Sequence, residues 1–293
     1  MDRTTIHPDT RLGPISLTVG DLARARRFYQ DTLGMIALGR QDGTLALGVE
    51  GTGPLVALTE VPNARPRPPR TSGLYHFAIL LPGRMDLART LSRLANQGYP
   101  LQGAADHGVS EALYLADPDG NGIEIYIDRP RAEWRWQDGQ LQMGTDPLNV
   151  RALLNQSDGV RNGLPPETRI GHVHLQVAHL NQAESFYSEV LGFELMQRYG
   201  PSALFLSAGG YHHHVGLNTW AGVGAPPPPP DAVGLRHFTI DLPDDEELAR
   251  ITERLQAADI PFEPVAVTHG AGAAQLVRDP SGNGIVLDVD RRG

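Results

Sequence analysis

Gly171-His172-Val173-His174-Leu175-Gln176-Val177, then Phe186-Tyr187 and Leu191-Gly192-Phe193, is the stretch from which the fold can be read. Its first residues alternate between two faces, the period of a β-strand. The spacing then lengthens to that of an amphipathic helix, which a glycine stops. The same reading applies to Gly13-Pro14-Ile15-Ser16-Leu17-Thr18-Val19, Phe28-Tyr29 and Leu33-Gly34-Met35. Phe28 and Phe186 stand 158 positions apart, and so do Gly34 and Gly192.

A second pair of segments repeats between these. Gly73-Leu74-Tyr75-His76-Phe77 matches Gly234-Leu235-Arg236-His237-Phe238, and each leads into a helical pattern, near Met85 to Asn96 and near Asp244 to Ala257. Asp117-Pro118-Asp119-Gly120-Asn121-Gly122-Ile123 matches Asp279-Pro280-Ser281-Gly282-Asn283-Gly284-Ile285. Asp-Pro and Gly-Asn-Gly are turn chemistry, and each cluster launches a last strand. The spacing predicts an α+β chain of four βαβββ modules in tandem, in the order A–B–A–B. The N-terminal half, 11–128, holds modules 1 (11–61) and 2 (73–128). The C-terminal half, 169–290, holds modules 3 (169–220) and 4 (233–290). Residues 129–168 form an unrepeated linker, and Pro62 to Pro69 and Pro226 to Pro230 read as stiff connectors at matching places. Trp134 and Trp136 in the linker are expected to pack on the body.

Composition narrows the chemistry. The 293 residues are 40% hydrophobic and 20% charged, as in a globular protein, and no apolar run is long enough to span a membrane. The start is polar, so a cytoplasmic location is the default expectation. There is no cysteine, and all 25 basic residues are arginine. Thiol nucleophiles, iron–sulfur clusters, Schiff bases and the P-loop lysine are therefore excluded. A net charge of −9 argues against nucleic acid or an anionic membrane as partner. His, Asp, Glu, Tyr and Arg are left to carry the function.

The first strands of the modules share one diagnostic position, occupied by Pro14, His76, His172 and His237 in turn. A histidine on an apolar strand is commonly a core residue with a satisfied hydrogen bond. Glu124, between Ile123 and Ile125, is harder to place: a buried carboxylate without a partner costs several kcal/mol, so a cation or strong donor is expected beside it. Module 4 has Val286 there. Two histidines and a carboxylate meeting from three strands would form the facial triad of an open-sided Fe(II) or Mn(II) site. Module 2 also carries Asp106-His107 and Tyr114. In module 4, His269 falls at the place of His107, but Leu276 at that of Tyr114. Module 3 closes with Tyr211-His212-His213-His214, a polar cluster where module 1 is apolar.

These residues resemble the vicinal oxygen chelate superfamily (the glyoxalase, bleomycin resistance and extradiol dioxygenase proteins). Its paired modules form open mixed-sheet barrels around a metal. Gly171-His172, the histidines closing module 3, and Asp106-His107, Tyr114 and Glu124 are most similar to the catechol 2,3-dioxygenase, or type I extradiol, branch. The resemblance implies ring cleavage of an aromatic diol with O₂ at Fe(II), or alternatively Mn(II). His76, Glu124 and His172 would be the metal ligands. A histidine closing module 3 would be the acid–base group, with His214 the candidate and His212 on the same strand face in reserve. Tyr114 would hydrogen-bond the ionised substrate oxygen, supported by His107. In that branch the active modules are normally the third and fourth. Here only modules 2 and 3 together complete the triad, so they are expected to pair, leaving 1 with 4 as a barrel without chemistry. Asp288, on the strand face of Val286, would be the carboxylate of a competing 3–4 site. A glyoxalase-like lyase or isomerase and a metal-free drug-binding protein remain alternatives, and the latter would need an aromatic-rich cleft from a chain only 6% aromatic. Oligomeric state is left open.

Overall fold

The computed structural model describes residues 5–266 and 273–290; His269 lies outside them. Module 1 supplies β1 (Arg11–Val19), α1 (Leu22–Arg27), β2 (Ile36–Gln41), β3 (Thr44–Gly48) and β4 (Pro54–Glu60). Module 2 supplies β5 (Gly73–Leu80), α2 (Arg84–Asn96), β6 (Gly103–Asp106), β7 (Ser110–Ala116) and β8 (Gly122–Asp128). The linker adds three two-residue strands, β9 (Trp136–Gln137), β10 (Gln140–Leu141) and β11 (Asp146–Pro147), and α3 (Val150–Leu154). Module 3 follows with β12 (Arg169–Gln176), α4 (Leu180–Glu184), β13 (Glu194–Tyr199), β14 (Ala203–Ser207) and β15 (Val215–Asn218). Module 4 ends the chain with β16 (Gly234–Leu242), α5 (Asp245–Ala257), β17 (Phe262–Ala266), β18 (Ala273–Arg278) and β19 (Gly284–Val289).

Both Phe-Tyr helices are shorter than their apolar spacing suggests. α1 and α4 pass into single π-type turns over Phe28–Thr32 and Ser185–Val190. Gly34 and Gly192 follow at φ +82° and +92°, the left-handed conformation that ends a helix. Tyr29 and Tyr187 lie in these turns and bond to residues of another module. Tyr29 Oη donates to Asp117 Oδ2 at 2.9 Å, and Tyr187 Oη to Asp279 Oδ2 at 3.2 Å. Asp117 also accepts from the Asp119 and Asn121 amides and from Asn121 Nδ2, and Asp279 has the equivalent set from Ser281 and Asn283. The repeated Asp-Pro…Gly-Asn-Gly motif is thus a turn whose buried carboxylate is fully satisfied.

Apart from the β9–β10 pair, which stands alone, the described strands form two mixed sheets that ignore the division into halves. One runs β17-β18-β19-β16-β1-β4-β3-β2, joining modules 4 and 1; the other runs β11-β6-β7-β8-β5-β12-β15-β14-β13, joining modules 2 and 3. Within a module the first and last strands are parallel, and modules meet through antiparallel first strands, β1 with β16 and β5 with β12. One large apolar cluster runs through both. The linker lies along the module 2/3 sheet: β11 extends its β6 edge, and Trp134, Leu141 and Met143 pack with Val109, Met196 and Tyr211. Trp134 packs as expected. Trp136 does not, being 52% exposed. No helix among the described residues is long and apolar enough to cross a membrane.

Candidate metal centre

Register explains why polar side chains meet in the module 2/3 sheet. His172 on β12 is paired with Ala78 on β5, Ala78 with Glu124 on β8, and Glu124 with Tyr114 on β7. Residues directly opposite share a face, so these four form one row. The next row on that face holds His174, His76 and Gly122. Ala78 is small, which leaves room for side chains from either side of it to close over the strand.

Glu124 is 2% exposed, and its Oε2 lies 3.0 Å from His76 Nε2 and 3.1 Å from His172 Nε2. One ligand atom from each of the three residues lies within 4.8 Å of the other two; among the described residues no other such group occurs. His76 Nε2, though close to the carboxylate, makes no properly angled hydrogen bond, and His172 Nδ1 is also buried without a partner. Burial alone would raise the Glu124 carboxyl, but His172 and His76 outweigh it and hold it well below the usual carboxylate range. Burial pushes the His172 imidazole down to about 4. An ionised carboxylate beside the neutral His172 imidazole suits a divalent ion, and the orphaned His76 Nε2 is what such an ion would satisfy. The residues fit a metal.

The group opens on a cavity of about 380 Å³. Tyr75, Tyr114, Tyr199, Phe205 and Trp220 line it, with His76, His107, His174 and His213. Five of the chain's 18 aromatic residues are therefore gathered in one cleft, and the low overall aromatic content does not describe the site. Gly103 from β6 and Met143, Gly144 and Thr145 from the linker complete the wall.

Tyr114 and His107, both named from the sequence, line the cavity together. His107 Nδ1 lies 2.7 Å from the Gly144 carbonyl and its Nε2 2.6 Å from Tyr114 Oη. A carbonyl only accepts, so Nδ1 carries the proton, and Nε2 accepts from the tyrosine. Burial, with Glu124 nearby, pushes the Tyr114 hydroxyl well above its usual range.

The closing histidines differ from expectation. His214, the candidate acid–base group, faces a separate polar pocket with Thr10, Arg11, Arg131 and Arg169, and its Nδ1 is engaged by Ser207 Oγ and the Ala208 amide. His212 is fully buried under Tyr126, Trp134 and Tyr211. The residue between them, His213, lines the cavity, its ring 4.1 Å from that of His172 and 4.8 Å from that of Phe205. Neither His212 nor His214 lines the cavity. Residues 211–214 precede β15, which begins at Val215, so a face assigned by strand alternation had no strand beneath it.

His174, which the sequence expectation does not include, lies by alternation on the face of His172. It is buried, its ring 5.0 Å from that of His76, and Asn218 Nδ2 lies 3.0 Å from its Nε2. Asn218 Oδ1 accepts from the Trp220 amide, which turns the NH₂ group toward His174. Nε2 is therefore the acceptor and Nδ1 carries the proton. Gly216 makes room for the ring: a Cβ there would sit 2.9 Å from His174 Cγ.

His237 and Asp288 lie in the other sheet, where burial, with Arg236 and Arg278 nearby, pushes His237 down to about 4. Among the described residues His172, His237 and Asp288 form no ligand group, and β12 and β16 belong to different sheets.

A family model described as the Glyoxalase/Bleomycin resistance protein/Dioxygenase superfamily matches residues 11–125 and 169–287. A catechol-2,3-dioxygenase of Bacillus subtilis (strain 168) is 47% identical over 264 residues, 89% of this chain and 92% of its own. A biphenyl-2,3-diol 1,2-dioxygenase of Rhodococcus globerulus is 35% identical over 123 residues, 42% of this chain and 63% of its own. Among solved structures, a putative dioxygenase from Bacillus subtilis superposes with a TM-score of 0.65 at 15% identity, over 99% of this chain and 87% of its own. Glyoxalase I from Zea mays gives 0.58 at 17%, over 95% and 92%. At those identities the two structures speak for the fold alone.

Proposed function

We propose a function from one premise: the chain belongs to the Glyoxalase/Bleomycin resistance protein/Dioxygenase superfamily. Within it, the protein is a metal-dependent extradiol ring-cleaving dioxygenase acting on catechol-type diols with O₂. The observation that carries this reading is the buried Glu124–His76–His172 group at the floor of an aromatic-walled cavity, in a chain 47% identical to a catechol-2,3-dioxygenase.

His76, Glu124 and His172 would hold the ion, Fe(II) by preference for a two-histidine, one-carboxylate set, with Mn(II) able to replace it. Such an ion, when bound, acidifies the diol and holds both reactants side by side. Tyr75, Tyr199, Phe205 and Trp220 present apolar surface to the ring, and the cavity is large enough for one substituted ring. Tyr114 Oη is committed as a donor to His107 and can accept the proton of a substrate hydroxyl as it passes its own to His107 Nε2. The half-buried His107 then carries the charge at the rim. His213, at the cavity wall beside His172, takes the acid–base role that sequence reasoning gave to His214. His174 presents Nδ1–H on the face of the triad and is suited to orient a substrate oxygen.

Metal analysis of anaerobically purified protein, with O₂ uptake and yellow product formation from catechol, tests the proposal. Iron or manganese near one per chain, with equimolar O₂ consumption and product, is expected. Zinc or nickel, or no metal, without O₂ uptake would overturn it.

A further inference from the structure

His213 is tied to a chain of hydrogen bonds that leads away from the cavity. Its Nδ1 lies 2.8 Å from His212 Nδ1, and His212 Nε2 lies 2.9 Å from Asp128 Oδ1. That carboxylate oxygen also accepts from Tyr211 Oη at 2.9 Å, and Tyr211 Oη is 2.7 Å from Tyr126 Oη. A carboxylate with two donors converging on one oxygen acts as an acceptor, so His212 carries its proton on Nε2. A neutral His212 then has a bare Nδ1, which can only accept. His213 must donate to it from Nδ1, and its Nε2 is left bare.

We propose that Asp128 and His212 are positioning residues that hold His213 as its Nδ1–H tautomer, with Nε2 free as the proton acceptor on the cavity side. This rests on the reading of His213 as the acid–base group. The argument is one of tautomer and orientation: an imidazole free to choose would put a proton on Nε2 for much of the time, and a protonated Nε2 cannot take one from substrate. A role in packing alone does not account for His212. It is fully buried, its ring 4.1 Å from Tyr211 and 5.7 Å from Trp134, where an apolar ring would fill the same space without the cost of burying two nitrogens. The carboxylate orienting the first imidazole, and the imidazole orienting the second, repeat the logic by which outer partners fix the ring nitrogens of metal-site histidines.

The test reads the tautomer directly. In protein labelled with ¹⁵N-histidine, metal-free and Zn(II)-loaded, the ring nitrogens of His213 are assigned by their loss in His213→Gln. Wild type is expected to show a protonated Nδ1 and a bare Nε2. His212→Phe keeps the ring and removes the acceptor. It should move the His213 proton wholly or partly to Nε2 and lower kcat about ten- to a hundredfold, with KM and metal content little changed. His212→Asn, whose side-chain oxygen falls near the place of Nδ1, should restore the tautomer and most of kcat. Packing predicts the reverse order, with Phe above Asn, and that result would overturn the proposal. So would an unchanged tautomer in His212→Phe. Asp128→Leu, which removes the oxygen that both His212 and Tyr211 use, should give a tautomer mixture; a pure Nδ1–H form there also counts against the proposal. Absence of catechol cleavage by wild type would sink the enzymatic reading separately, because the tautomer is measured without turnover.

Discussion

In the module 2/3 barrel, the row across β12, β5, β8 and β7 reads His172, Ala78, Glu124 and Tyr114. At the corresponding places the module 1/4 barrel holds Pro14, Thr239, Val286 and Leu276. In the next row, His174 opposite Gly216 becomes Ser16 opposite Ala57. The Asp117 and Asp279 turns, the π turns and the antiparallel contact of first strands are alike in both. What the two barrels share is therefore what folding demands, and what separates them is a set of buried polar groups that folding does not need. Such groups cost stability unless something satisfies them, so their concentration in one barrel marks where a ligand belongs.

The most severe way to break the contrast is to copy one barrel into the other. Glu124→Val installs the residue of module 4 in the site. It is expected to abolish metal binding and lower kcat/KM by at least about a thousandfold, as the loss of several kcal/mol of transition-state stabilisation requires. The mirror change His237→Leu should leave metal content and turnover within about twofold, as for a substitution away from the chemistry. Metal analysis and catechol turnover on both proteins check this pair, and loss of metal in the His237 variant would mean that the 1/4 barrel shares the chemistry. Next comes the choice among the closing histidines. His213→Gln should lower kcat by about a hundredfold or more, the usual contribution of an acid–base group, and His214→Gln by less than about fivefold. The reverse order would return the role to His214.

The residues that allowed the sequence to be read, and those that did not, differ in a physical way. His76, Glu124 and His172 could be found because each is a polar side chain on an otherwise apolar strand, and strand alternation carries face information. The pairing of module 2 with module 3 followed because only that pairing joins all three. His174 carries the same signal, two residues beyond His172, and its Gly216 partner is what the alternation pattern does not display. His213 carried none, because its segment is a turn whose side-chain directions depend on tertiary contacts with Asp128 and Tyr211. The linker was opaque for a similar reason: Met143, Gly144 and Thr145 wall the cavity only because β11 pairs with β6. The aromatic walls come from residues far apart in the chain, so a composition average could not reveal them.

A gentler change sharpens the contrast at the wall. Gly216→Ala gives β15 the residue found in β4, and the new Cβ would lie 2.9 Å from His174 Cγ. His174 must shift, which is expected to raise KM or lower kcat about tenfold with metal retained. Ala57→Gly, the reciprocal change, should leave turnover alone and cost about 0.5–1 kcal/mol in stability, as glycine does in a strand.

The smallest expected effect concerns acid. Burial is the leading cause that pushes four histidines of the 2/3 barrel down: His172 to about 4, His214 to about 3, and His174 and His213 well below their ordinary value. In the 1/4 barrel it does so for His237, to about 4. In the unfolded chain each titrates near ~6.5, so below that pH the unfolded state binds more protons than the folded one. The sign follows: stability from these groups is complete above about pH 6.5 and declines as pH falls toward the folded values. Because four of the five lie in one barrel, the metal-free protein should loosen there first. Hydrogen exchange read by mass spectrometry at pH 7 and pH 5 is expected to show peptides of β5, β8, β12 and β15 losing protection about tenfold more than those of β1, β4, β16 and β19. Equal losses would mean that the apolar cluster running through both barrels makes them open as one unit, and that the buried histidines set the acid limit of the whole chain rather than of the site.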